Sequence, residues 1–454
     1  MASDESITIT HSLSLLFMLS LSFLFTAEGN NNNNNNSTAS LFFPLTSAPL
    51  TSHTTSFLAS LAASPLRRTS SDSPPLGYSS KTPFRYSMAL IVSLLIGTPA
   101  QSQRVVIDTG SQLSWILCHR KKTRNPPSAA ATAFDPSLSS SFSAVPCSHP
   151  LCKPRIPDFT IPTTCDAKRL CHYSYFYADG TYAQGNLIRE KISPTTPPII
   201  LGCAADDAAA DAEGILGMNL GRLSFPLQAK LSQFSYCVPL SRRRPTDPSP
   251  TGAFYLGQNP NSAAFRYINL LTFPQNHRMP NLDPLAYTVP LAGIKIAGRI
   301  LNIPETSFRP DAGGSGQTMI DSGTQYTYLV DAAYDKVREE VVRRTGGGKL
   351  MKKDFVYAEA LDMCFDGANA AAAAARLIGD VAFVFTGGVE ITVPKERIMD
   401  DVGSGVHCIA IGRSELLGVP SNIVGNFYQQ NLWVEFDLVN RRVGFGPADC
   451  SRSV

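Results

Sequence analysis

From residue 86 onward the chain runs in short apolar stretches broken by Gly, Pro, Asn and Asp. Stretches at 104–107, 173–177, 254–256, 294–296, 381–385 and 432–436 are rich in Val, Ile, Phe and Tyr, and each is too short for an ordinary helix. With turn residues between them they predict strands. Residues 88–96 form a further apolar run that stops at Gly97-Thr98-Pro99, which is strand length rather than membrane length. Helical patterning is scarce. Asp331–Arg344, where Val alternates with charged residues ahead of Gly346-Gly347-Gly348, predicts one helix. The alanine-rich runs at 204–212 and 370–375 read as insertions in surface loops. The pattern therefore predicts an all-β architecture.

Upstream of 86 the texture differs. Residues 13–25 are apolar, followed by Ala27-Glu28-Gly29 as a small-x-small cleavage site, so 1–29 reads as a signal peptide. Its first twelve residues contain Asp4 and Glu5 but no Lys or Arg, which is atypical of a signal. Residues 30–85 are a polyasparagine tract followed by a Ser/Thr/Pro-rich stretch, and they read as a disordered pro-segment. Asn35 and Asn36 each begin a glycosylation sequon, and Arg67-Arg68 is a candidate processing site. The C-terminus carries no hydrophobic tail and so no lipid-anchor signal. A chain of 454 residues exceeds what one core usually serves, which predicts two lobes. These are placed at 86–240 and 241–454.

Charge adds an exclusion. Lys plus Arg number 39 against 36 Asp plus Glu, a balance that argues against a nucleic-acid surface. Arg242-Arg243-Arg244 sits in a Pro/Ser-rich stretch and reads as a solvated loop. Ten cysteines, an even count, predict disulfides in an oxidising compartment. Zinc is the competing reading for Cys147, Cys152, Cys165 and Cys171, but they lack paired C-x₂-C units, and the seven histidines show no ligand spacing.

The most informative pattern is a repeat. Val105-Val106-Ile107-Asp108-Thr109-Gly110-Ser111 returns 213 residues later as Thr318-Met319-Ile320-Asp321-Ser322-Gly323-Thr324. Gly214-Ile215-Leu216-Gly217 is echoed by Asn422-Ile423-Val424-Gly425, at 109 and 104 residues after the respective acids. Matched order and spacing at two elements imply duplicated halves, each offering one carboxylate. The apolar triplet predicts a buried strand that holds the acid rigidly. Gly110 and Gly323 allow a sharp turn that brings an N–H near the carboxylate, and the hydroxyls of Ser111 and Thr324 can donate to its outer oxygen. Two carboxylates in contact cannot both ionise easily and would share a proton. Such a pair can take a proton from water while giving one to a peptide carbonyl.

These motifs resemble the pepsin-like aspartic proteases, whose acid pairs are known to share a proton, and within them the plant nepenthesin-type branch. Ile96-Gly97-Thr98-Pro99-Ala100, Ile423-Val424-Gly425 and Trp433-Val434-Glu435-Phe436-Asp437 extend the resemblance over about 86–450. It implies a bilobal fold with pseudo-two-fold related lobes and Asp108 and Asp321 as the catalytic pair. It also implies Tyr177 as the tyrosine of a flap over the substrate, hydrogen-bonded by Trp115. Ala178 stands where the family usually has Gly, and the family's extra cysteines just after Cys118 are missing from His119 to Arg124. Family-like pairing would join Cys118 to Cys203, Cys147 to Cys171, Cys152 to Cys165, Cys237 to Cys450 and Cys364 to Cys408. The expectation is a monomeric aspartic endopeptidase of the secretory pathway, in the endoplasmic reticulum or outside the cell. It would act on proteins and peptides at acidic pH without metal or organic cofactor, and without nucleic acid or a stable membrane anchor. The alternatives are a catalytically silent extracellular binding or inhibitor protein on the same fold, and a stably inhibited zymogen.

Overall fold

The duplicated motifs become duplicated strand arrangements. In the first half, strand Gln101–Asp108 runs parallel to Gly214–Gly217, with Ile215, Leu216 and Gly217 opposite Val106, Ile107 and Asp108. Gly214–Gly217 pairs antiparallel with Trp115–Leu117, which runs parallel to Ile199–Ala204. The second half repeats this order. Thr318–Ile320 runs parallel to Asn422–Val424, then Thr327–Leu329 pairs antiparallel, then Ile411–Arg413 parallel. These short strands are buried along most of their length, as parallel strands require, which explains why the repeat is apolar rather than alternating. The computed structural model describes residues 41–48, 89–118, 133–152, 163–177, 182–193, 198–204, 214–240, 251–273 and 279–450. The signal segment, both sequons, Arg67-Arg68, the 242–244 arginines and Ala178 lie outside the described residues.

The second repeated glycine has a packing reason. A Cβ on Gly217 would lie 2.7 Å from the Gln112 backbone, and one on Gly425 would lie 2.1 Å from the Tyr326 carbonyl oxygen. Both glycines thus sit against the chain just past an acid motif, where any side chain would push apart the strand carrying that acid.

The halves are joined by one continuous sheet. Gln233–Cys237 pairs with Leu432–Asp437, so that Phe234 faces Phe436 and Tyr236 faces Val434. Its order continues through Thr251–Leu256, Leu41–Ala48 and Ala89–Ile96 into the strand that ends at Asp108. The chain from Ala39 onward is accordingly one contact unit. Leu41–Ala48 corrects the expectation for eight residues of the 30–85 stretch. Its Leu41-Phe42-Phe43 start has strand composition, and it fills the gap between Thr251–Leu256 and Ala89–Ile96.

All six expected strands are present, and the expected helix runs from Asp331 to Arg344. One expectation is overturned. Residues 370–375 are not a surface loop but lie within a helix, Ala368–Ile378, whose Ala371, Ala374 and Ile378 are buried. Alanine has the highest helix propensity, and these three positions form one face at helical spacing. Of the 204–212 run, only Ala204 is described, and it ends a strand. No helix among the described residues is long and apolar enough to cross a membrane.

Five disulfides are formed, three of them as the resemblance implied: Cys118–Cys203, Cys237–Cys450 and Cys364–Cys408. The other two cross over, as Cys147–Cys165 and Cys152–Cys171, replacing the expected Cys147–Cys171 and Cys152–Cys165. Burial sorts them. Cys152 and Cys171 are the inward pair and pack with Val145, Tyr173 and Leu187, while Cys165 is exposed and Cys147 half-buried at the surface. All four sulfurs are therefore used in disulfides rather than on zinc.

Peptide mapping of the unreduced protein is expected to recover the 147–165 and 152–171 links. Recovery of 147–171 would overturn this arrangement. Gly425→Ala is expected to cost more than about 2 kcal/mol of stability, because backbone rather than a movable side chain meets the new methyl. Unchanged thermal unfolding would contradict that packing argument.

Candidate active site

Each acid emerges where a buried strand ends. The Asp108 carbonyl accepts from the Met218 N–H at 2.8 Å, and the Asp321 N–H donates to the Val424 carbonyl at 3.1 Å. These bonds extend the parallel pairing through the acids, so neither backbone is free to drift. Both acids are wholly buried. The Gly110 N–H donates to Asp108 Oδ1 and the Gly323 N–H to Asp321 Oδ1, both at 2.9 Å. A Cβ on Gly110 would lie 3.0 Å from Asp321 Oδ2 and 3.2 Å from Asp108 Oδ1. The two carboxylates therefore converge on one glycine, where a side chain would crowd both of them.

The loops also grip each other across the pseudo-two-fold. The Thr109 N–H donates to Ser322 Oγ at 3.1 Å, and the Ser322 N–H donates to Thr109 Oγ1 at 2.8 Å. The Ser322 hydroxyl in turn donates to the Ile107 carbonyl at 2.8 Å. The Thr109 hydroxyl lies 3.4 Å from the Ile320 carbonyl and 3.3 Å from Asp321 Oδ1, and can donate to either. Thr109 and Ser322 were not among the residues singled out in the sequence. The signal was present, since both copies of the motif carry a hydroxyl directly after the acid, but only geometry shows that each reaches the opposite loop.

The two acids are not equivalent. Thr324 Oγ1 donates to Asp321 Oδ2 at 2.5 Å, as expected. The corresponding hydroxyl, Ser111 Oγ, is buried without a hydrogen-bond partner, so the expected bond to Asp108 is not made here. Burial, and secondly the facing Asp108 charge, hold the Asp321 carboxyl well above the ordinary carboxylate range, against the opposing bonds from Thr324, Gly323 and Thr109.

Within electrostatic reach of the first acid lies the tyrosine expected for the flap. Cys171–Phe176 and Tyr182–Glu190 form an antiparallel hairpin, with Phe176 opposite Tyr182, and Tyr177 follows the first strand. The Trp115 indole N–H donates to Tyr177 Oη at 2.7 Å. Tyr175 packs edge-on to Tyr177 at 5.1 Å and accepts the Gln112 N–H at 3.1 Å. Burial, then the neighbouring Tyr175 and Asp108, raise the Tyr177 phenol, which stays neutral and able to donate. At the position matching Trp115 the second half has Tyr328, and so no second indole donor.

The site makes a linkage prediction. A carboxyl whose folded pKa is raised stabilises the fold when protonated. That contribution is full below the ordinary value near 4 and is lost as pH rises toward the raised value. Thermal stability is therefore expected to fall between about pH 4 and neutrality. Asp321→Asn is expected to flatten that fall and to raise the unfolding temperature at pH 7 by a few degrees. An unchanged slope in the variant would show that Asp321 is not the buried, proton-linked group.

Two family models match the chain, one described as xylanase inhibitor N-terminal over residues 90–258 and one as xylanase inhibitor C-terminal over 286–447. Aspartic proteinase PCS1 of Arabidopsis thaliana is 37% identical, the match covering 82% of this chain and 84% of the relative. Aspartic proteinase nepenthesin-1 of Nepenthes gracilis is 31% identical, over 80% of this chain and 78% of the relative. Among solved structures, that of edgp superposes with a TM-score of 0.60 at 17% identity, covering 90% of this chain and 95% of that one. Soybean basic 7S globulin superposes with a TM-score of 0.56 at 18% identity, covering 81% and 93%. These two likenesses speak for the fold alone. Duplicated strand arrangements, paired acids and these sequence matches place the chain in the plant nepenthesin-type branch of the pepsin-like aspartic proteinase family.

Proposed function

We propose that this chain is an aspartic endopeptidase whose Asp108 and Asp321 activate a water molecule against a peptide bond. The convergence of both carboxylates on Gly110 carries this reading, because it sets two acids at one point in a site too dry to ionise both. The ionised member takes a proton from water, whose oxygen bonds to the carbonyl carbon, while the protonated member gives its proton to the carbonyl oxygen. The tetrahedral intermediate then collapses, the C–N bond breaks, and the amine leaves with a proton from the pair. No covalent adduct with the enzyme forms. Gly110, Gly323 and Thr324 hold the carboxylates in orientation. Tyr177, kept neutral and fixed by Trp115, closes over the substrate and excludes water.

In this reading residues 1–29 are removed on entry to the secretory pathway and 30–85 act as a pro-segment ahead of lobes at 86–240 and 241–454. Five disulfides support an oxidising compartment. The competing reading, a silent binding or inhibitor protein, finds its support in the descriptions of the two family models. It does not explain why both acids, both glycines, Thr324 and the Tyr177–Trp115 bond are all in place.

The secreted protein, incubated at about pH 4, is expected to degrade casein, and activity should fall as the pH rises and the shared proton is lost. Asp108→Asn or Asp321→Asn should each lower kcat/KM by at least about 10³-fold. Tyr177→Phe, which removes one hydrogen bond of about 1 kcal/mol, should cost up to roughly tenfold in kcat. No cleavage by the acid-treated wild type, or full cleavage by either Asn variant, would favour the binding protein instead.

A further inference from the structure

Two buried tyrosines, one on the joining sheet and one in the irregular segment ahead of Leu291–Ile296, reach the acids crosswise. Tyr236 lies in the strand Gln233–Cys237 of the first half, and its hydroxyl donates to Gln429 Oε1 at 2.6 Å. The Gln429 amide donates onward to the Asp321 carbonyl at 3.2 Å and to the Val424 carbonyl at 2.8 Å. The Gln429 side chain thus clamps the rung at which the Asp321 N–H meets Val424. The mirror arrangement runs the other way. Tyr287 of the second half donates to the Met218 carbonyl at 2.6 Å, and the Met218 N–H holds the Asp108 carbonyl. Both tyrosine rings lie against Phe436, with centroids 6.0 and 4.3 Å away, and Phe234 stacks on the same ring at 4.8 Å. Tyr236, Gln429, Tyr287 and Met218 are all wholly buried.

We propose that Tyr236 and Gln429 are positioning residues that set the separation of Asp321 from Asp108 through the Asp321 backbone, tying the chemistry to the joining sheet. This rests on the endopeptidase reading for its catalytic consequence. The bland account is that these are merely satisfied core polar groups, as buried amides and phenols generally are. It does not account for the pattern, in which each half supplies the tyrosine that supports the other half's acid. Nor does it account for a glutamine amide that bridges both carbonyls of the rung carrying Asp321. Because sub-ångström displacement of a reacting group is costly in rate, loosening this brace should act on turnover more than on substrate binding. It should also change how the pair shares its proton, since that sharing depends on carboxylate separation.

The test compares Tyr236→Phe and Gln429→Leu with Tyr267→Phe. Tyr267 is a joining-sheet tyrosine that donates to Glu435 Oε1 at 2.6 Å and has no link to either acid. Gln429→Leu is expected to lower kcat about 10- to 100-fold with KM within about twofold. Tyr236→Phe should do so by a smaller factor, and the double variant by less than the product of the two. Both should shift the high-pH limb of the activity profile, whereas Tyr267→Phe should shift neither turnover nor profile. A second readout does not need activity: the pH dependence of thermal unfolding that Asp321 contributes should move in both brace variants and not in Tyr267→Phe. If the wild type proves inactive, the endopeptidase reading fails and this second readout still decides the brace. Should Gln429→Leu not fold, Tyr236→Phe carries the comparison. The proposal is overturned if the brace variants lose only stability, as Tyr267→Phe does, with kcat, the pH profile and the Asp321-linked unfolding midpoint unchanged.

Discussion

Two carboxylates buried against each other repel, and almost everything distinctive in this fold opposes their moving apart. Neither acid can relax by swinging into water, because each is wholly buried at the end of a parallel strand pair. The Thr109–Ser322 exchange of hydrogen bonds locks the two loops together. Burial that movement cannot relieve, with the facing charge adding to it, is relieved by protonation instead, which is the origin of the raised Asp321 carboxyl. The destabilised pair is thus a feature of the site, and the strands and disulfides around it offset its cost.

Duplication explains why such a site can form at all. A single lobe presents one acid at the edge of one strand arrangement, and only the second copy supplies a partner at matching height. The joining sheet then fixes the relative position of the copies, with Phe234, Tyr287 and Phe436 packed where the two contributions meet. Symmetry is nevertheless incomplete. Thr324 bonds its acid and Ser111 does not, and the Trp115–Tyr177 pair stands on one side only. Acids from duplicated motifs therefore sit in unequal surroundings, as an asymmetric substrate such as a peptide requires.

Much of this was legible in the chain, for identifiable reasons. Asp108, Asp321 and their glycines stand out because the same acid, hydroxyl and glycine string returns 213 residues later behind a second apolar triplet. The repeated Ile-Leu-Gly and Ile-Val-Gly elements were visible as pattern, but their purpose, glycines pressed against backbone, needed the packing. Thr109 and Ser322 escaped notice because a hydroxyl beside an acid has many uses. The crossed Cys147–Cys165 and Cys152–Cys171 bonds depend on which sulfurs face inward, a property that spacing does not encode. The alanine run at 370–375 was misread because low complexity suggested a loop, whereas its propensity and one buried face make a helix.

The central claim is that Asp108 and Asp321 hold one proton between them well above the ordinary carboxylate range. Infrared difference titration of the folded protein, wild type against Asp321→Asn, reads that proton directly. The account predicts a protonated-carboxyl band in the wild type that persists well above the usual range near pH 4 and is absent from the variant. A wild-type band that disappears with the ordinary carboxylates, or one that survives unchanged in Asp321→Asn, would contradict it.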